Sequence, residues 1–203
     1  MNLIFVGPQG SGKGTQAKII SDKLGLCHIS TGDLLRNAVG ELRKEIETYS
    51  TKGLLVPDEL ITKLLENKIH SKECKKGFIL DGFPRNSKQA EYLDSITRID
   101  HVVEIQISDE ESVRRLGGRL SCKCGEVFNL TSNPPEKEGI CNKCKNKLYT
   151  REDDQEDAIK KRLEIYHSET KPILQKYASI RINGEQPIIK VTQDILAELS
   201  QNY

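Results

Sequence analysis

The sequence predicts an α/β fold with a parallel sheet. Short apolar or β-branched runs alternate along the chain with segments of helical spacing. A glycine-rich loop joins the first apolar run to the first helical segment. The alternation breaks once, from Ser121 to Thr150, where two cysteine pairs, Pro134-Pro135 and several glycines replace any helical period. That stretch is expected to be an insertion with its own local staple.

Leu3–Val6 is a short apolar run ending at Gly7, the pattern of a buried strand. Lys13–Leu24 carries helix formers and stops at Gly25. Asp58–Ile69 places Leu60, Ile61, Leu64, Leu65 and Ile69 at helical spacing. Gly77–Asp81 reads as a second buried strand and His101–Ile107 as a third. Ser108 precedes three acidic residues, as a helix N-cap does. Gln155–Tyr177 reads as one long helix bent at Pro172, because proline lacks the N–H that continues the ladder. Ile180–Ile182 is a last short strand, and Ile188–Leu199 a closing helix.

A chain of 203 residues is long enough for one domain with a small insertion. Its 31 Lys+Arg against 30 Asp+Glu leave a net charge of +1. That balance, with only 5% aromatic residues, argues against a dedicated nucleic-acid binder. No apolar run approaches the roughly 18 residues of a membrane span. The first residues carry no basic segment of the kind that opens a signal peptide. The expected location is therefore cytoplasmic.

The strongest motif is Gly7-Pro8-Gln9-Gly10-Ser11-Gly12-Lys13-Gly14-Thr15, between a strand and a helix. Glycines let successive N–H groups turn inward on a phosphate, and the helix N-terminus adds about half a positive charge. Lys13 supplies an ammonium for β- and γ-phosphates, and a hydroxyl beyond it can face Mg²⁺. Here Gly14 follows Lys13, which moves that hydroxyl to Thr15. Asp81 ends a strand, the face where α/β proteins bind ligands. It suits ordering of Mg²⁺ through water, the other reading being a turn or capping aspartate.

Residues 7–17 resemble the P-loop of nucleoside monophosphate kinases. Ile29-Ser30-Thr31-Gly32-Asp33-Leu34-Leu35-Arg36 and Asp81-Gly82-Phe83-Pro84-Arg85, with Gln89, resemble the two acceptor motifs of adenylate kinases. Arg151–Asp154 and Arg162–Tyr166 resemble the segment leaving the lid. The blocks follow the family's order, and the chain is similar to bacterial adenylate kinases of the long-lid, zinc-bearing form. That resemblance implies a P-loop kinase fold with a five-stranded parallel sheet flanked by helices. It implies a core of residues 1–29, 61–117 and 156–203, an acceptor segment at 30–60 and a lid at 118–155.

The same resemblance implies roles. Gly10, Ser11, Gly12, Lys13, Gly14, Thr15, Arg115, Arg119 and Gln186 would bind ATP. Thr31, Arg36, Gly82, Arg85, Gln89, Arg151 and Arg162 would bind AMP, with Thr31 and Gln89 beside its base. Lys13, Arg85, Arg119, Arg151 and Arg162 would be catalytic. Thr15 and Asp81 would associate with the Mg²⁺ carried by ATP. Two polyphosphates repel, and bidentate guanidiniums suit such a site better than lysine. An AMP phosphate oxygen is already anionic, so no general base is sought. Asp153 and Asp154 read either as a lid-closing pair or as first-turn acids of the next helix. The implied reaction is reversible transfer from MgATP to AMP, giving two ADP, by a cytoplasmic monomer needing neither nucleic acid nor membrane. Alternatives are another nucleoside monophosphate as acceptor, or a zinc-ribbon nucleic-acid-binding ATPase. A guanine-nucleotide switch lacks its N-K-x-D motif here.

Cys141 and Cys144 form a C-x-x-C pair, while Cys122 and Cys124 form C-x-C, one residue short of the family's usual spacing. Together they suit structural Zn²⁺, with a metal-free cysteine lid or a redox disulfide as alternatives. Cys27 and Cys74 stand alone and read as small buried residues. His28, His70, His101 and His167 fit no ligand or base arrangement and read as structural.

Overall fold

The computed structural model describes residues 1–38, 40–50, 54 and 56–201. Residues 39, 51–53 and 55, within the expected 30–60 segment, lie outside the described residues. Five strands form one parallel sheet: β1 (Asn2–Val6), β2 (Cys27–Ser30), β3 (Phe78–Asp81), β4 (His101–Gln106) and, late in the chain, Ser179–Asn183. Two more strands, β5 (Arg119–Ser121) and β6 (Val127–Asn129), pair antiparallel in the cysteine-bearing stretch. The Ser179–Asn183 strand is thus β7, and the large sheet runs β2-β3-β1-β4-β7. β1 is central, with Ile4 opposite Leu80 of β3 and Val102 of β4.

The pleat of β1 explains both faces of the core. Ile4 and Val6 join Leu80, Ile61, Leu65 and Leu93 on one side. Leu3 and Phe5 join Ile79, Val103, Ala17, Ile20 and Ile195 on the other. These partners come from α1 (Lys13–Leu24), α4 (Asp58–Ile69), α5 (Ser87–Ile96) and α8 (Ile188–Gln201), with α2 (Thr31–Arg36), α3 (Gly40–Ser50), α6 (Asp109–Gly117) and α7 (Glu156–Ile165) completing the helices. A strand apolar on both faces requires helices on both sides of the sheet.

α1, α4 and the Ser108 cap of α6 lie where the sequence puts them, the Ser108 hydroxyl accepting from Glu111 N. α1 ends at Gly25, whose φ of 67° supplies the left-handed cap. The long helix expected from 155 to 177 is corrected. α7 stops at Ile165, a π-turn spans Tyr166–Thr170, and a 3₁₀ turn spans Lys171–Gln175. The ring of Pro172 obstructs the carbonyl four residues earlier, so the ladder widens before the proline rather than bending at it.

The two cysteines expected to stand alone are also corrected. Cys27 and Cys74 are joined as a disulfide, with Cα atoms 4.9 Å apart. Cys27 opens β2 opposite Phe78 of β3, which brings the turn before β3 beside it. Among the described residues, no helix is long and apolar enough to cross a membrane.

Candidate active site

The glycine-rich loop leaves the carboxyl end of central β1 and opens α1, and a cavity of about 940 Å³ lies over it. Gly10, Ser11, Gly12, Lys13, Gly14 and Thr15 all line that cavity. Gly12, with φ of 89°, stands at the N-cap of α1 and gives it no side-chain hydrogen bond, so the first helical amides remain free for a ligand. Ser11 Oγ and Gln9 Oε1 are buried without a hydrogen-bond partner. A loop with unspent polar atoms is shaped for a guest that supplies them.

Gly14, the departure from the general motif, has a steric reason. A Cβ there would come 2.9 Å from Asp81 Oδ2. The loop and the end of β3 therefore approach closely, bringing Thr15, Lys13 and Asp81 to one wall. Burial would raise the Asp81 pKa, but nearby His28 and Lys13 outweigh it and hold the carboxyl below its ordinary value. His28, read from sequence as structural, lines the cavity with Nε2 3.7 Å from Asp81 Oδ2. Its position in a strand too short to show a period hid it.

Arg36, Arg85, Arg115, Arg119, Arg151 and Arg162 also line the cavity, as do Gly82 and Gln186. Four of the six arginines meet carboxylates and two do not. Arg119 and Arg162 bind carboxylates: Arg119 Nε donates to Asp154 Oδ2 at 2.7 Å, and Arg162 lies 3.0 Å from Asp153 Oδ2. Asp153 and Asp154 are thus arginine partners, whereas the first-turn acids of α7 are Glu156 and Asp157. By contrast, Arg85 Nε donates to Gly82 O at 2.8 Å and Arg151 Nε to Ser121 Oγ at 2.7 Å. Neither has a carboxylate at ion-pair distance among the described residues. Arg36 Nη2 donates to Asp33 Oδ1 at 2.6 Å. Arg115 bonds Glu111, Gly184 O at 2.9 Å and Gly10 O at 3.4 Å, tying the loop to the turn after β7.

This crowding is electrostatically costly. Burial, Arg85, Arg162 and Arg119 bring the Lys13 ammonium down to about 8 against the pull of Asp81. Burial and neighbouring guanidiniums bring Arg151 and Arg162 each down to about 10. Such a field is relieved by a polyanion.

Thr31 and Gln89 stand apart from the arginines. Neither lines the cavity, and they are 0% and 2% exposed. Thr31 donates to Gly82 O at 2.9 Å. Gln89 accepts from Arg85 N at 2.7 Å and donates to Asp58 Oδ1 at 2.7 Å. Its amide thus joins the Arg85 backbone to Asp58, with a second N–H still to give. Sequence reasoning also missed Tyr166 and Thr170, which line the cavity from the π-turn. Thr170 Oγ1 donates to Arg85 O at 2.8 Å, so Arg85 is held by main-chain bonds at both its N–H and its carbonyl.

Cys122, Cys124, Cys141 and Cys144 converge with all four sulfurs within 4.8 Å of one another. Cys122 and Cys144 sulfurs stand 3.3 Å apart, and those of Cys124 and Cys141 3.6 Å. Tetrahedral thiolates on zinc stand about 3.8 Å apart, given bonds of about 2.3 Å. The cluster can hold a metal. The shorter C-x-C turn closes because Gly125, at φ 89°, returns its N–H to Cys122 O at 3.0 Å. Backbone N–H groups of Cys144 and Lys143 hold the Cys141 thiol down to about 7.

A family model described as adenylate kinase matches residues 5–182. The chain is 44% identical to the adenylate kinase of Caldicellulosiruptor saccharolyticus, over 98% of this chain and 99% of that protein. It is 43% identical to that of Clostridioides difficile over 98% of each chain, and 41% identical to that of Methanosarcina barkeri over 99% of each.

Proposed function

The chain belongs to the adenylate kinase family, and from that premise we propose how its own residues carry a phosphoryl group from ATP to AMP, giving two ADP. The observation that carries the reading is the cation cluster over the loop. Lys13, Arg85, Arg151 and Arg162 are all pushed below their ordinary pKa values by burial and mutual repulsion. A site that destabilises its own charges binds two polyphosphates with the energy it recovers.

In this reading the amides of Gly10–Thr15 hold the β- and γ-phosphates of the donor, and Lys13 follows them with a mobile ammonium. Arg36 and Arg85 hold the acceptor α-phosphate. Arg119, Arg151 and Arg162 gather on the group in transit. Arg115 and Gln186 lie on the donor-base side. Thr31 and Gln89 fix Gly82 and Arg85 and lie on the acceptor-base side. No side chain need accept a proton, since the attacking oxygen arrives anionic. The residues work by alignment and charge stabilisation, and lid closure excludes water as a rival acceptor.

Mg²⁺ accompanies ATP in this family, and the oxygens of Asp81 and Thr15 suit a hard cation. A cation held by these residues would offset the negative charge of the donor's phosphates. We assign zinc to the cysteine quartet, since four soft thiolates with no open position make a structural site. The division into a core, an acceptor segment at 30–60 and a lid at 118–155 belongs to the same reading. So does a cytoplasmic location.

The test is ADP formation from ATP with each nucleoside monophosphate as acceptor. Turnover with AMP at least tenfold above UMP, CMP and GMP is expected. Preference for another acceptor would overturn the AMP assignment.

A further inference from the structure

One charged contact among the cavity-lining residues has no part in the phosphate scheme above. Lys18 on α1 extends toward the cysteine-bearing hairpin, and its ammonium meets Glu126 Oε1. Lys143 stands 3.7 Å from the same oxygen. The three residues come from three places: Lys18 from the core helix, Glu126 two residues after Cys124, and Lys143 between Cys141 and Cys144. Cys122 N donates to Glu126 O at 2.9 Å, so the fold of the first cysteine turn sets where Glu126 stands.

We propose that Lys18, Glu126 and Lys143 form a latch that holds the cysteine hairpin down on α1, with Glu126 the positioning residue that sets donor-nucleotide affinity. The inference rests on the kinase reading above, in which that hairpin closes over ATP. Its logic is local. The ion pair joins segments 108 residues apart in sequence and exists only when they meet. Its energy therefore enters the open–closed equilibrium. Lys18 and Glu126 are 42% and 28% exposed at their side chains, so the pair is partly screened. An exposed pair of this kind shifts such an equilibrium by about two- to fivefold.

The arrangement has an asymmetry. Glu126 lies between two ammonium groups. Removing Lys18 loses an attraction. Removing the charge of Glu126 loses that attraction and also leaves Lys18 facing Lys143 with no anion between them. Glu126→Gln should therefore be worse than Lys18→Met, and the double variant milder than Glu126→Gln alone.

The experiment uses the full-length, metal-loaded protein. Initial rates at saturating AMP give KM for ATP and kcat, and hydrogen exchange follows the amides of β5 and β6 without nucleotide. In Glu126→Gln, KM for ATP should rise about two- to fivefold with kcat unchanged or higher, and the hairpin amides should exchange faster. Elemental analysis should find metal content unchanged. The Lys18→Met/Glu126→Gln protein should recover part of the loss. An unaltered KM and exchange in Glu126→Gln would overturn the latch, as would a double variant at least as impaired as the single. Loss of metal from Glu126→Gln would overturn it too, since Glu126 would then be supporting the cysteine turn itself. If the wild-type protein makes no ADP from ATP and AMP, the kinase reading falls instead, and the exchange data decide the latch alone.

Discussion

The cavity has two walls, and they are held in place by different forces. The core wall carries Lys13 and Arg85 on segments that leave β1 and β3. Those strands are sealed on both faces by apolar side chains such as Ile4, Phe5, Ile79 and Leu80, each no more than 1% exposed. The other wall carries Arg119 and Arg151 at the roots of the cysteine hairpin, and Arg162 beside them on α7. Its own buried cluster is Cys122, Phe128 and Cys141. Packing fixes the first wall, while carboxylates and sulfur fix the second. One wall can therefore be rigid in the absence of substrate while the other answers to charge and metal.

Lys13 offers the largest test of that difference. Lys13→Met should lower kcat by about 10²–10³-fold, the usual cost of one transition-state charge partner. It should do so without unfolding the core wall. Burial sets the Lys13 ammonium at about 8, below its ordinary 10.5. Below about 8 the folded protein carries a charge that its surroundings disfavour. Between about 8 and 10.5 the unfolded chain binds more protons than the folded one, so nucleotide-free stability gains from rising pH over that window. The variant should consequently melt no lower than wild type at neutral pH. A large fall in Tm would mean that Lys13 holds the fold as well as the phosphates. The same depression predicts that ATP binding at pH 8 takes up about half a proton, as phosphate restores the charge. Calorimetry in buffers of different ionisation enthalpy measures it, and zero uptake would contradict the crowded-cation account.

The second wall is tested through its sulfur. Replacing Cys141 and Cys144 by Ser should abolish bound metal. Structural zinc contributes on the order of 10 kcal/mol to folding in small peptides, and the hairpin has too small an apolar cluster to replace it. Amides of β5 and β6 should lose hydrogen-exchange protection while those of β1 and β3 keep theirs. KM for ATP should rise several-fold, with much of kcat retained. Loss of protection in β1 as well would show the two walls to be one cooperative unit.

The same contrast governs how much could be read in the sequence. α1 and α4 match their expected bounds because helix formers with a glycine stop mark α1, and periodic apolar residues behind an acidic first turn mark α4. The five-strand count came from family likeness, since β2 is only Cys27–Ser30, too short to show a period. The Cys27–Cys74 pairing was hidden because strand order, and not sequence spacing, brings those residues together across 47 positions. Gln89 was read as an acceptor-side residue, but its bonds to Arg85 N and Asp58 were not legible, because a motif gives a residue's place and not which partner occupies its amide. The interruption of α7 was visible as Pro172, yet its extent depended on a π-turn whose buried Tyr166 and Thr170 answer to the cavity.

Thr170 gives the smallest and most selective effect. Its hydroxyl donates to Arg85 O, while Gln89 Oε1 takes the Arg85 N–H, so the backbone of this arginine is gripped from α5 and from the π-turn at once. Thr170→Val keeps the shape and removes the donor. A hydrogen bond of this kind is worth about 1 kcal/mol, or roughly fivefold in an equilibrium. Arg85 belongs to the packed wall and, in the proposed mechanism, to the acceptor phosphate. The loss should therefore appear as a three- to fivefold rise in KM for AMP, with KM for ATP and the exchange of β5 and β6 unchanged. Lid-side changes, by contrast, should act on ATP. If Thr170→Val raises both KM values equally, the π-turn serves both walls, and the division of the cavity into a packed half and a charge-held half fails at the residue that joins them.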